Sequence, residues 1–427
     1  MQAVNFIIQN ILTEASITIA LIAMVGLLLQ KKTIGQVING TLKTLLGFQV
    51  VAAGSTIIVQ ALTYFGTIFT EGFNMNGIIP SIEAINGQAM NEIGLGSEIA
   101  LTFLAIFIVN LLIARFTKWK YIFLTGQANL WMATMCSVFG YFAGLRGVTL
   151  VIVGGIVGGV FAVGMPAIAQ PIVRKITNSN DIALGHFCTI GYMFTAGIAK
   201  ITGDITTSTE ELNLPKSFEF LQDTYLSLMV VMVPLYLITA FFAGPECSYQ
   251  FAGDSHYLMY AFLQSIQFVV GVYVLLSGVR LLLGEIVPAF RGIATKIVPN
   301  AIPALDCPVL FPYAPNAVIV GFVSTTIGTV IAMFVLPMFG LAMILPGILT
   351  NFFAGGTAGI FGNAVGGRRG AIISGIAHGF FITLLPALLV TIFNTLGFVN
   401  ATATDVDTVV AALFYTWFIT PIMNLFS

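Results

Sequence analysis

The chain has 427 residues, of which 58% are hydrophobic and 8% charged, and its net charge is −1. Soluble domains carry about a quarter charged residues, so a mean hydropathy of +0.99 excludes a chain whose surface faces water on all sides. With a near-neutral balance, no basic block and no zinc-type spacing, no nucleic-acid partner is expected.

A spanning helix needs roughly 20 mostly apolar residues. Charge-free runs of that order cover 15–30, 44–70, 99–114, 121–145, 147–173, 182–199, 224–245 and 257–279. Another uncharged stretch extends from Cys307 to Gly367, enough for two spans and a re-entrant piece, and further runs cover 370–404 and 408–427. The runs are long and do not alternate as barrel strands would. The expectation is an all-α polytopic membrane protein embedded in the lipid bilayer, with about 11 transmembrane helices and some re-entrant or unwound segments.

The first thirty residues lack the basic region and cleavage site of a secretory signal, so the first run reads as a retained span. Basic residues mark the cytoplasmic side. Lys31, Lys32 and Lys43 follow the first run, which puts the N-terminus outside. Arg115 with Lys118 and Lys120, Arg174 with Lys175, and Arg368 with Arg369 mark further cytoplasmic loops.

Two segments read differently from spans. In Thr33–Leu46 the apolar residues Ile34, Val37, Ile38, Leu42, Leu45 and Leu46 keep a helical spacing beside basic residues. Glu285–Pro299 repeats the design, with Ile286, Phe290, Ile293 and Ile297 on one face and Arg291 and Lys296 beside it. Both read as helices lying in the interface, with a solvated connector as the plainer alternative. Each precedes a polar, proline-containing region. That pattern suggests an inverted repeat, with approximate halves 1–220 and 221–427 of a single membrane-embedded domain.

Ionisable residues among spans are functional candidates by default, and four places stand out. Asn76 to Glu83 combines helix breakers with Asn76, Ser81 and Glu83; an exposed external loop is the alternative. Thr125-Gly126-Gln127 leads to Trp131 on the same helical face, an amide with an aromatic ring that suits a polyol; helix packing through a buried Gln127 is the alternative. Gly185-His186 follows the polar loop 178–181 and offers a proton donor or acceptor near neutral pH, unless His186 is merely a solvated terminal residue. Pro303 to Asn316 holds four prolines and the single carboxylate Asp306, so it cannot be a continuous helix; a polar external loop is the alternative.

Several classes are missing. No GxxxxGK[ST] phosphate loop occurs, so no ATPase is expected. No metal-ligand spacing or cofactor motif is visible, and neither a metal nor a cofactor is expected. Cys136, Cys188, Cys247 and Cys307 are scattered, without a disulfide framework. Cys307 adjoins the Asp306 carboxylate and the nearest basic residue in sequence is Lys296, so it is not expected to act as a reactive thiol.

Val298 to Cys307, followed by Tyr313-Ala314-Pro315-Asn316-Ala317-Val318, resembles the membrane component, enzyme IIC, of the bacterial ascorbate-specific phosphotransferase system. Gly40 to Thr44 with Gly47-Phe48, Asn76-Gly77, Leu124-Thr125-Gly126, Gly185-His186 and Gly278-Val279-Arg280 follow in family order along nearly the whole chain. The resemblance implies a homodimer in the bacterial inner membrane, each protomer with a core domain and a scaffold domain. It implies that the core carries L-ascorbate, or a close hydroxylated relative, across the membrane in elevator fashion. A phosphorylated cytosolic partner, enzyme IIB, then passes its phosphoryl group to the substrate. The family's substrate contacts fall on Gln127, Trp131, His186, Phe187 and Asp306, with the Glu83 loop nearby. The family pattern has His and Gln where this chain has Gln127 and Trp131, and Gln where it has Phe187.

Asp306 is the first candidate to orient or deprotonate the accepting hydroxyl, and His186 the second. Thr125, Gly126 and Asn316 complete the expected binding set. The rival reading is a secondary transporter driven by H⁺ or Na⁺ through Glu83 and Asp306. A passive channel has less use for single carboxylates in broken helices.

Overall fold

A computed structural model describes residues 15–74, 77–212, 224–399 and 401–425. The long helices are α1 (Ala15–Leu29), α2 (Ile34–Phe73), α4 (Gly96–Phe116), α6 (Gly147–Thr177), α8 (Thr224–Ala252), α9 (Tyr257–Ile297), α10 (Pro315–Val335) and α11 (Gly356–Thr395). Shorter ones are α3 (Ile82–Asn91), α5 (Gly126–Phe142), α7 (Thr189–Thr202) and α12 (Val406–Phe414). Five short strands lie between them: β1 (Gly77–Ile78), β2 (Tyr121–Phe123), β3 (Ala183–Leu184), β4 (Ile302–Leu305) and β5 (Met343–Ile344).

The protein is an all-α polytopic membrane protein. Among the described residues eight helical stretches are long and apolar enough to cross a bilayer, those of α2, α4, α6, α8, α9, α10 and α11 and the stretch 406–424 that α12 opens, against the 11 expected. The difference has a physical cause. The runs 121–145 and 182–199 contain no Asp, Glu, Lys or Arg, yet each divides into a short strand and a helix of 17 or 14 residues. Most of α5 is buried. Its apolar residues face protein, so a charge-free run measures burial as readily as lipid exposure. The first run is described over only 15 residues of α1.

The apparent single helix α11 is a hairpin. At Gly367 the backbone adopts φ 60 and ψ −161. Gly362 lies against Ser374 and Ala371, although residues nine apart in a straight helix are about 13 Å apart. The first arm, continuing residues 351–355, spans about 24 Å of helix to Gly366, short of a full crossing. This is the re-entrant piece expected between Cys307 and Gly367. The tip is held from outside: the Asp204 amide donates to Gly366 at 2.8 Å, and Arg368 pairs with Glu211 at 3.1 Å. Thr206 bonds the exposed Asp204 carboxylate through its hydroxyl and amide, which holds that carboxyl below its ordinary pKa.

The two amphipathic segments are corrected by the fold. Thr33 caps α2 in a reciprocal capping box with Gln36. Ile34, Ile38, Leu42 and Leu46 are exposed at a four-residue period, while Val37 and Thr44 are buried. The helix then continues to Phe73. Its 40 residues make about 60 Å, twice the hydrocarbon thickness of about 30 Å. Segment 285–299 likewise continues α9 as far as Ile297, and the side chains of 285–295 lie outside the described set. Both segments are overhanging ends of long helices and not separate elements.

Packing divides the helices into two groups. α2, α8 and α9 pack on one another with α1 chiefly against α2, α4–α7 with α10–α12 form the second group, and α3 lies between α2 and that second group. In the first group α2 and α9 run antiparallel in close contact: Gly54 meets Leu275, Gly271 meets Ile58, and Gly278 meets Val51 and Gly47. Tyr236 donates to the Ala61 carbonyl at 3.0 Å and ties α8 to α2. Each group takes elements from both halves of the sequence.

The strands join the halves. β1 pairs with β5 in parallel, and β4 lies between β2 and β3, also in parallel. Buried amides satisfy neighbouring backbone. Asn110 brackets β2, donating to the Tyr121 carbonyl at 2.9 Å and accepting the Phe123 amide at 3.0 Å. Gln170 donates to the Ile182 carbonyl beside β3 at 3.0 Å.

The hairpin makes a stability prediction. A Cβ at position 367 would lie 2.1 Å from the Asp204 carbonyl oxygen and 2.2 Å from that of Thr207, in the left-handed region. Gly367→Ala should lower the melting temperature in detergent by about 5 °C or more. Gly197→Ala, where the Cβ meets nothing within 4 Å, should leave it unchanged. Equal melting of Gly367→Ala and the parent would contradict the hairpin.

Candidate functional site

A cavity of about 290 Å³ lies between the two groups, close to the lower end, roughly 300 Å³, for small-molecule sites. Ends of broken elements build its polar wall. Pro80 to Glu83 enter from the crossing after β1, Thr125 and Gln127 from the start of α5, and Trp131 from its second turn. His186 follows β3, Asp306 follows β4, and Thr404 and Asp405 precede α12. The opposite wall comes from α8 and α9 and is almost wholly apolar: Leu228, Met232, Phe268, Val272 and Leu276, with Arg280 at one end.

Local chemistry explains why these polar groups sit where they do. Ser81 caps α3, its hydroxyl accepting the Ala84 amide at 3.2 Å and donating to the Glu83 carboxylate at 3.0 Å. Asp306 caps the turn after β4 by accepting the Cys307 amide at 2.8 Å. Thr404 donates to Asp405 at 3.3 Å. The Thr125 hydroxyl is buried and meets no partner among the described residues, so a ligand hydroxyl entering the cavity would remove the cost of an unpaired group, ~1–3 kcal/mol.

Strand pairing sets His186 beside Asp306. Gly185 donates to the Leu305 carbonyl at 2.6 Å, and a Cβ on Gly185 would lie 2.5 Å from the Ala304 carbonyl oxygen. Only glycine admits that approach. Tyr192 bonds His186 Nδ1 at 2.8 Å and lies 3.4 Å from the Cys307 sulfur. Asp407 clamps the same loop from α12. Its carboxylate accepts the Thr189 and Ile190 amides, both at 2.9 Å, and its own amide donates to the Phe187 carbonyl at 2.9 Å. Ligand atoms of His186, Asp306 and Cys307 lie within 4.8 Å of one another, a set that could converge on a cation. Here the His186 ring and the Cys307 sulfur both meet the Tyr192 hydroxyl, and Asp306 takes the Cys307 amide.

Six of the expected residues line this one cavity: Glu83, Thr125, Gln127, Trp131, His186 and Asp306. Gly126 is buried at the start of α5, one residue from the wall. Phe187 is fully buried and stacks on Phe123, with centroids 4.4 Å apart and planes at 12°. It braces β2 against the His186 loop from behind the wall. Asn316 lies elsewhere, binding the Thr209 and Leu212 carbonyls at 3.2 and 2.8 Å, while its amide and that of Ala317 take the Glu210 carboxylate. Asn76 lies outside the described residues. Thr404 and Asp405, which line the cavity, and Asp407 are not among the residues expected from the sequence. The available signal was a pair of carboxylates, two residues apart, between the last two apolar runs.

A family model described as the PTS system sugar-specific permease component, EIIC-GAT, matches residues 10–407. The chain is also 26% identical over 443 residues to the ascorbate-specific PTS system EIIC component of Mycoplasma pneumoniae, strain ATCC 29342 / M129 / Subtype 1. That match covers 91% of this chain and 66% of the relative, so the chain spans just under two thirds of the relative's length. The match extends over most of the chain and includes every element that lines the cavity. The chain therefore belongs to the sugar-specific permease components of the phosphotransferase system, multi-pass proteins of the bacterial inner membrane.

Proposed function

We propose that the protein carries L-ascorbate, or a close hydroxylated relative, through the membrane and presents it for phosphorylation by a cytosolic IIB partner. The observation that carries this reading is the asymmetry of the cavity. One wall holds carboxylates, an imidazole, an amide and an indole ring, whereas the other is nearly smooth and apolar. A polar wall can hold a polyol, and a smooth apolar wall lets the loaded wall slide past. In this reading α1, α2, α8 and α9 act as scaffold, the other group moves as core, and two protomers form a homodimer. The two sequence halves are related as an inverted repeat, each giving two long helices to the scaffold and then broken elements to the core. The ascorbate-specific relative supports the choice of substrate.

In the transfer step a primary hydroxyl of the substrate attacks the phosphoryl group on the partner's cysteine. The O–P bond forms as the S–P bond breaks, and the cysteine leaves as thiolate. Asp306 accepts the hydroxyl proton, with His186 as the alternative acceptor, and the partner supplies the phosphoryl group. Gln127 and Trp131 hold the substrate by amide hydrogen bonding and ring contact.

Two measurements test the reading. In vesicles, substrate should accumulate only when the phosphorylated donor chain is present, and as its phosphate ester. Accumulation of unmodified substrate under a proton gradient alone would establish the secondary-transporter reading. Asp306→Asn keeps shape and removes charge, so coupled phosphorylation should fall by ~10²-fold or more while the size-exclusion profile stays sharp. Phosphorylation at the parent rate by that variant would leave Asp306 a structural cap only.

A further inference from the structure

The polar wall and the transfer step leave one charged group of the cavity unused. Arg280 stands on α9, on the otherwise apolar wall, across from Glu83, Asp306 and Asp405. It is exposed, and its guanidinium donates to the Tyr225 hydroxyl at 3.2 Å. Among the described residues it pairs with no carboxylate. A cation on an apolar helix is costly unless it is used.

The register of α9 against α2 places Arg280 along the membrane axis. Gly278 lies against Gly47 and Val51, whereas Gly271 lies against Ile58. Moving from 271 to 280 therefore runs toward the end of α2 that carries Lys43 and follows Lys31 and Lys32. That end is cytoplasmic by its charge, and it is the side from which a phosphoryl donor must come.

We infer that Arg280 binds the phosphoryl group during transfer and the phosphate ester formed by it; this rests on the function proposed above. The charge argument is direct. During transfer negative charge spreads over three phosphoryl oxygens, and the product carries close to two charges. Both would face three carboxylates across the cavity. A guanidinium supplies the planar fork that phosphate accepts in bidentate fashion. Because Arg280 stands on the wall opposite the polyol contacts, it discriminates between phosphorylated and free substrate and adds little to binding of the latter.

The test separates transfer from binding. Arg280→Gln and Arg280→Lys are purified alongside the parent. Equilibrium binding of L-ascorbate, counterflow of unphosphorylated L-ascorbate in liposomes, and the rate of ester formation with phosphorylated IIB are then measured. Arg280→Gln should lose ~10²-fold or more in the transfer rate, with ascorbate affinity and counterflow within about threefold of the parent. Arg280→Lys should bind ascorbate as the parent does and recover part of the transfer rate, which keeps the test open if the Gln variant is poorly folded. Transfer at the parent rate by Arg280→Gln would overturn the inference, as would loss of ascorbate binding in proportion to transfer. A parent protein that forms no ester with phosphorylated IIB would overturn the function proposed above, and this inference with it.

Discussion

Every backbone amide and carbonyl buried among apolar spans needs a partner, because no water is there to supply one. A continuous helix meets this requirement alone, and among the described residues this chain departs from helix at five short strands. At each departure it recruits partners from far away in sequence. β1 borrows from β5, β2 and β3 both borrow from β4, and the Ser81 amide reaches the Thr402 carbonyl at 3.0 Å. Side-chain amides fill what remains: Gln88 meets both the amide and the carbonyl of Val399. The unwound segments are therefore among the most closely cross-linked parts of the molecule.

The site is a by-product of that solution. A strand that ends inside the protein must pass into a helix or turn, and the turn needs a cap. Ser81 and Asp306 are such caps, and Glu83 and His186 stand beside them. Because β4 pairs with both β2 and β3, the caps and their neighbours converge on one cavity and not on separate loops. Asp407 serves the same end from another helix, holding the amides that open α7 and thereby the loop that carries His186. The scaffold helices α8 and α9, which no strand interrupts, give the cavity its smooth side.

Much of this was legible in the sequence because each signal was local. Four prolines around Asp306 forbid a helix, His186 after a polar loop offers a proton donor or acceptor, and Gln127 with Trp131 declares a helical face. The rest depended on long-range contacts. Asp405 and Asp407 looked like boundary charges between two apolar runs, and only the meeting of α12 with α7 gives Asp407 its amide partners. Phe187 fell in a motif of binding residues, but its partner Phe123, 64 positions earlier in the chain, turns it into a brace. Asn316 was grouped with Asp306 by proximity in sequence, whereas the turns at 307–313 carry it to the loop around Glu210. The runs 121–145 and 182–199 resemble spans for the same reason, since burial against protein and burial against lipid look alike in composition.

The central claim is that the substrate occupies the cavity between the polar and the apolar walls, and Thr125 gives direct access to it. In a background with the four native cysteines replaced by alanine, Thr125→Cys is treated with N-ethylmaleimide, and modification is followed by intact mass. Thr206→Cys, on the exposed loop near the hairpin tip, serves as reference. Saturating L-ascorbate, or the hydroxylated relative that the protein transports, should slow modification at position 125 by about tenfold or more, as occupancy excludes the reagent. It should leave position 206 unchanged. Equal modification at position 125 with and without a transported substrate would place the binding site elsewhere and contradict the account.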